Sequence, residues 1–128
     1  MKRHMIPGAP TPVAPFSHAV SHGGFLFVTG QMPTHPVTGE VVGSDVATQT
    51  RQVLENLAIV VEGAGGRLEN TVMARAYLSR FDDDYAAFNA VWIETFKDGQ
   101  RPARTTVGVT GLAVGALVEV DLIVALDA

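Results

Sequence analysis

Arg104, Thr106, Glu119 and Asp121 are the residues of this 128-residue chain whose types and spacing could do chemistry. They lie in two β-branched, apolar runs within Arg101 to Ala125, joined by Thr110-Gly111-Leu112-Ala113-Val114-Gly115. That pattern predicts a β-hairpin with a longer loop. Side chains alternate between faces along a strand, so Arg104, Thr106 and Gly108 share one face of the first run. Leu117, Glu119, Asp121 and Ile123 share one face of the second. If the loop closes symmetrically about Leu112 and Ala113, Thr106 lies opposite Glu119 and Arg104 opposite Asp121. One guanidinium and two carboxylates would then sit together on a greasy hairpin. An Arg fork binds a carboxylate through two parallel hydrogen bonds, and a neighbouring Glu handles a proton or a water. The same residues also suit a cross-strand ion pair on a solvated face, worth a few tenths of a kcal/mol to about one. Spacing alone leaves both readings open.

The elements that would position these residues follow from the rest of the pattern. Residues 1 to 15 are rich in Pro and Gly and read as an ordered coil or frayed arm. Phe16 to Ser21 and Phe25 to Thr29 are short apolar runs separated by His22-Gly23-Gly24, a first hairpin. Gln31 to Ser44 holds three turn signals, Met32-Pro33, His35-Pro36 and Thr38-Gly39, in a loop too long to be a mere connector. A helix is predicted from about Asp45 to Ala64, capped by Ser44 or Asp45, with Val46, Val53, Leu57 and Val60 among its periodic apolar positions. Thr71 to Leu78 alternates as a strand. Asp82, Asp83 or Asp84 caps a second helix running to about Phe96, with Phe88, Asn89, Trp92 and Phe96 on one stripe. The order β-β-α-β-α-β-β indicates an α+β fold: one domain over residues 1–128, a mixed sheet with both helices on one face. The other face would be bare and apolar, and oligomerisation would cover it.

Two further positions invite a role. Asn89 on the apolar stripe is either a buried amide tied to backbone or a polar group reaching into a pocket. Thr29-Gly30-Gln31 is either a plain strand-to-loop turn or a place where Gly30 lets backbone N–H groups approach an anion.

Composition narrows the function classes. The net charge is −4 and the nine Lys and Arg residues are scattered, which argues against a nucleic-acid or membrane footprint. With no cysteine there is neither a disulfide framework nor a thiol nucleophile. His4, His18, His22 and His35 form no metal-ligand pattern. The start MKRHMIPGAP lacks the apolar run of a secretory signal, so a cytoplasmic protein is expected.

Pro102-Ala103-Arg104-Thr105-Thr106-Val107, followed by Leu117-Val118-Glu119-Val120, resembles the signature of the Rid (YjgF-type) reactive-intermediate deaminase family. Ala14 to Val20, Phe27 to Pro33, Gln49 to Leu57 and Tyr85 to Asn89 resemble family blocks in the same order, so the likeness spans about Pro10 to Ala125. The resemblance implies a chorismate-mutase-like homotrimer with active clefts between adjacent subunits and no metal or organic cofactor. It implies hydrolysis of 2-imino acids or their enamine tautomers, of the 2-iminobutanoate or 2-iminopropanoate type, to 2-oxo acids and ammonia. By position, Arg104 would bind the substrate carboxylate with help from the Gly30 backbone. Glu119 and the Thr106 carbonyl would hold and polarise the attacking water, and Phe16, Thr29 and Asn89 would line the pocket. Phe16 departs from the pattern, since many deaminating members carry Tyr there, and Thr106 stands where others carry Cys. Alternatives are a deaminase for a larger enamine, of the aminoacrylate or aminomuconate type, and a non-catalytic trimer that binds a small carboxylate. The scattered basic residues disfavour an RNA-cleaving role, and chorismate mutase activity would follow from fold analogy alone.

Overall fold

The computed structural model describes residues 1–126. Its first element corrects the expectation of a coil: Lys2–His4 form a strand, β1, paired antiparallel with β2 (Ala19–His22). The buried His18 ring anchors this arm, accepting from the Ile6 N–H at Nδ1 (2.8 Å) and meeting the Pro10 carbonyl at Nε2 (2.7 Å). β2 turns directly into β3 (Phe25–Gln31), with His22 across from Phe25. Gly23 and Gly24, at φ 61° and 82°, supply the left-handed pair that so tight a hairpin demands.

The first helix, α1 (Val46–Gly63), begins where the sequence indicates, with the Asp45 carboxylate accepting from the Thr48 N–H at 3.0 Å. β4 (Thr71–Leu78) also falls where alternation places it. For α2 (Phe81–Thr95) the cap differs. Arg80 holds the N-cap position without a side-chain bond, and Asp82, Asp83 and Asp84 lie in the first turn, where carboxylates oppose the positive end of the helix dipole.

The larger correction concerns the last two strands. β5 (Ala103–Gly108) and β6 (Val118–Ala125) do not pair with one another. α2 returns the chain so that β5 runs parallel to β4, a strand–helix–strand crossover. β6 enters between β3 and β4, giving the order β1-β2-β3-β6-β4-β5. The connector spans the end of β4, held by Val109 N–H to the Leu78 carbonyl (3.0 Å) and Ser79 N–H to the Leu117 carbonyl (3.1 Å). Burial explains the preference. Val118, Val120, Leu122 and Val124 are almost wholly buried against the helices, which suits a central strand, whereas the polar, half-exposed β5 tolerates the edge.

Both helices cover one sheet face. Val53, Leu57, Val60 and Val61 of α1 and Phe88, Val91 and Trp92 of α2 close over Leu26, Val28, Ala74, Ala76, Leu78 and the buried side of β6. On the opposite face Phe25, Phe27 and Val107 remain more than 40% exposed, so an apolar sheet surface is left open.

Candidate active site

The strand register decides where the chemistry-bearing side chains point, because directly paired residues share a face. Arg104 pairs with Ala74 and Thr106 with Ala76, and both alanines are buried under the helices. Glu119 pairs with Tyr77 and Asp121 with Arg75, on the open side. Arg104 therefore does not face Asp121, nor Thr106 Glu119. Within one chain they lie on opposite faces of the sheet.

The Arg104 side is assembled by α2. Its Nη2 donates to Asn89 Oδ1 at 2.7 Å, and the guanidinium carbon lies 5.2 Å from the Phe88 ring centre and 5.1 Å from that of Trp92. Aromatic faces attract the cation without using its N–H groups, so the fork keeps donors for a ligand. Asn89 is half-buried and tied to a side chain rather than to backbone. Asn89, Trp92, Ile93, Arg101, Pro102 and Arg104 line a cleft of about 290 Å³. On the same face of β5, the Thr106 Oγ1 is buried and makes no hydrogen bond among the described residues.

The Glu119 side is assembled by β3 and two loops. Pairing of β3 with β6 slips between Val28 and Gln31, placing a bulge at Thr29-Gly30, a device that re-aims side chains beside sites. The Glu119 carboxylate lies directly over Gly30, where a Cβ would collide with it. Here glycine is needed for close approach rather than for its dihedral angles. The Thr29 hydroxyl donates to the Ser17 carbonyl at 2.7 Å, which fixes the strand against the loop bearing Phe16. Val13, Ala14, Phe16, Thr29, Gly30, Met32, Ala113 and Glu119 line a cleft of about 320 Å³. Burial, and secondarily the Asp121 charge, push the Glu119 carboxyl above the ordinary carboxylate range.

The structure thus gathers the seven candidate residues into two groups: Arg104, Asn89 and Thr106 on one side, and Glu119, Gly30, Thr29 and Phe16 on the other. The aromatic shelf beneath Arg104 was legible only as an apolar stripe. Arg75, largely exposed on the open face, is bonded to Asp121 at 2.8 Å. Among the described residues no group of His, Cys, Asp and Glu is arranged to hold a metal ion.

Comparison with known proteins matches residues 7–126 to the family model described as Endoribonuclease L-PSP. The chain belongs to this family, also known as YjgF/RutC/Rid. A RutC family protein of Pyrococcus horikoshii is 42% identical over 115 residues, covering 90% of each chain. A 2-iminobutanoate/2-iminopropanoate deaminase of Dermatophagoides farinae is 34% identical, covering 94% of this chain and 93% of its own. The crystal structure of the YjgF gene product of E. coli superimposes with a TM-score of 0.90 at 31% identity, covering 98% of both chains. The Rid-family fold therefore holds over nearly all of the sequence, and Phe16, where a departure from the family pattern is expected, lines the Glu119 cleft. Five of this Rid chain's basic side chains, Arg51, Arg67, Arg75, Arg80 and Arg101, are ion-paired with acids. No helix among the described residues is long and apolar enough to cross a membrane.

Proposed function

We propose that this protein is a cytoplasmic, cofactor-independent deaminase that hydrolyses 2-imino acids, of the 2-iminobutanoate or 2-iminopropanoate type, to 2-oxo acids and ammonia. The working site forms between adjacent copies in a homotrimer. The observation that carries this reading is the division of the site: a carboxylate-binding fork and an unpaired carboxylate, each in an open cleft, on opposite faces of one sheet. A second copy lying against the open face unites the Arg104 cleft of one chain with the Glu119 cleft of the next, and also covers Phe25, Phe27 and Val107. The deaminase likeness of the Dermatophagoides farinae protein supports the reaction class.

Arg104, steered by Asn89 and the two rings, grips the substrate carboxylate, and the bulged backbone at Gly30 approaches it from the neighbouring chain. Glu119 and the Thr106 carbonyl hold a water against the imine carbon. As the C–O bond forms, Glu119 takes the proton and passes it to nitrogen, and the carbinolamine then loses ammonia to leave the 2-oxo acid. The imine is already electrophilic, so orientation and charge stabilisation suffice.

The apolar walls set by Phe16, Val13 and Met32 favour a second reading, in which the substrate is a larger enamine of the aminoacrylate or aminomuconate type. A non-catalytic carboxylate-binding trimer would need the fork but not the carboxylate. The ion-paired basic residues speak against an RNA substrate.

Complementation tests the shared site. Arg104→Ala and Glu119→Gln chains, each inactive alone on imines released by an amino-acid oxidase, are co-expressed. In a random mixture roughly a quarter of the interfaces carry both intact groups, so about that share of the wild-type rate returns. No recovery from well-assembled mixtures would refute the interfacial site. A wild-type protein inert toward every imine would refute the deaminase.

A further inference from the structure

Beside Glu119 the open face carries a polar cluster that the hydrolysis leaves unused. The Arg75 Nε donates to Asp121 Oδ1 at 2.8 Å, and the Tyr77 hydroxyl donates to Asp121 Oδ2 at 2.9 Å. Both carboxylate oxygens are thereby occupied, and the Asp121 side chain is only 14% exposed. Glu119 lies two residues away on the same face of β6, directly across from Tyr77. Among the described residues of its own chain no other charged or titratable group lines its cleft; in the proposed trimer the neighbouring chain's Arg104 also faces Glu119, and it is the same in every variant compared below. The Glu119 cleft contributes Val13, Ala14, Phe16, Thr29, Gly30, Met32 and Ala113, and the open side of β5 contributes Ala103, Thr105 and Val107.

We propose that Arg75, Tyr77 and Asp121 form a positioning cluster that sets the charge, and hence the basicity, of Glu119. The idea rests on the proposed role of Glu119 as the residue that receives a proton from water. Arg75 and Tyr77 donate to the two Asp121 oxygens and fix that carboxylate beside Glu119, and a negative charge there disfavours a second one on Glu119. A carboxylate made harder to ionise is a stronger base once it is ionised. Arg75 works in the opposite sense: it offsets part of the Asp121 charge and keeps the Glu119 proton from being held too tightly. The upward displacement of the Glu119 carboxyl, with Asp121 as its second cause, agrees with this arrangement.

The test is a titration of the Glu119 carboxyl followed by carbon NMR in the assembled protein, its signal assigned by its loss in Glu119→Gln. Asp121→Asn removes the repulsion and leaves Arg75 uncompensated, so the midpoint falls. Arg75→Gln leaves Asp121 unopposed, so the midpoint rises. On the acid limb of imine hydrolysis, where the rate follows the ionised fraction of Glu119, the rate at fixed pH rises roughly two- to tenfold in Asp121→Asn and falls by a similar factor in Arg75→Gln. If Asp121→Asn does not fold, Arg75→Gln/Asp121→Asn replaces the pair with neutral hydrogen-bonding groups and lowers the midpoint by less. A midpoint that stays put, or moves the same way in the Asp121 and Arg75 variants, overturns the proposal. The deaminase reading fails separately, when Glu119→Gln leaves imine hydrolysis unchanged.

Discussion

Arg104 is held from several sides by its own chain, through Asn89 at 2.7 Å and two aromatic rings just over 5 Å away. Glu119 lies over bare glycine backbone, and its carboxyl is displaced by burial and like charge, with no hydrogen bond among the described residues to offset them. The contrast separates two tasks. A binding group profits from being fixed beforehand, because each lost degree of freedom would otherwise be deducted from affinity. A group that must accept a proton profits from being left incompletely satisfied, because every hydrogen bond to the carboxylate would make it a weaker base. One chain completes neither task alone, since the sheet lies between the two groups.

Glu119→Gln gives the largest expected effect. The amide keeps the shape and removes the proton acceptor, so imine turnover falls by about 10²–10⁴-fold. The affinity for a stable 2-oxo acid changes little, because Arg104 holds the carboxylate. Measuring both quantities on one preparation sharpens the comparison. If rate and affinity fall together, Glu119 belongs to binding and the division of labour is wrong.

Arg104→Lys comes next. Lysine retains the positive charge but lacks the planar fork, so it cannot grip a carboxylate bidentately while lying over Phe88 and Trp92. Losing one charge-assisted contact of about 1.5–3 kcal/mol lowers kcat/KM by roughly 10- to 150-fold. The same factor should appear in 2-oxo acid affinity, as uniform binding requires. A fall in kcat with unchanged affinity would place Arg104 at the reacting atoms instead.

These contrasts were only partly legible in the sequence. The face shared by Glu119 and Asp121 follows from period-two alternation, which depends on one strand alone. The partner of each face depends on sheet order, and there the expected hairpin misled. Two consecutive β-branched runs look like sequential neighbours, and no local signal announces that β6 will slip between β3 and β4. The burial of β6, matched by the apolar run Val118-Val120-Leu122-Val124, was the available clue to a central strand. With β6 set beside β4, Arg75 and Tyr77 share parity with Asp121, and the cluster follows directly. The bulge at Thr29-Gly30 was legible as a glycine at a strand end but not as a slip in register. β1 was hidden because a three-residue strand has too little pattern to register, and the His18 contacts that anchor its arm are non-local.

The smallest expected effect concerns stability, and it tests whether Glu119 truly lacks a partner. Folding carries this carboxyl into a half-buried cleft, and burial followed by Asp121 raises its pKa above the ordinary value. An acid whose pKa is raised binds its proton more tightly in the folded chain than in the unfolded one. Its contribution to stability is complete below the unfolded-state pKa and is lost as the pH climbs through the folded-state value. At neutral pH the wild type has lost that contribution, whereas glutamine has no charge to desolvate. Glu119→Gln should therefore melt slightly higher than wild type at pH 7, by no more than about 1 kcal/mol because solvent still screens the site. The difference should shrink as the pH falls through the carboxylate range and vanish where Glu119 is protonated in both states. Differential scanning calorimetry on the assembled protein, across that range at constant ionic strength, reads the trend. A variant that melts lower than wild type at pH 7 would mean that the folded protein stabilises the Glu119 charge. The contrast with Arg104 would then collapse, and with it the case for Glu119 as the residue kept ready for a proton.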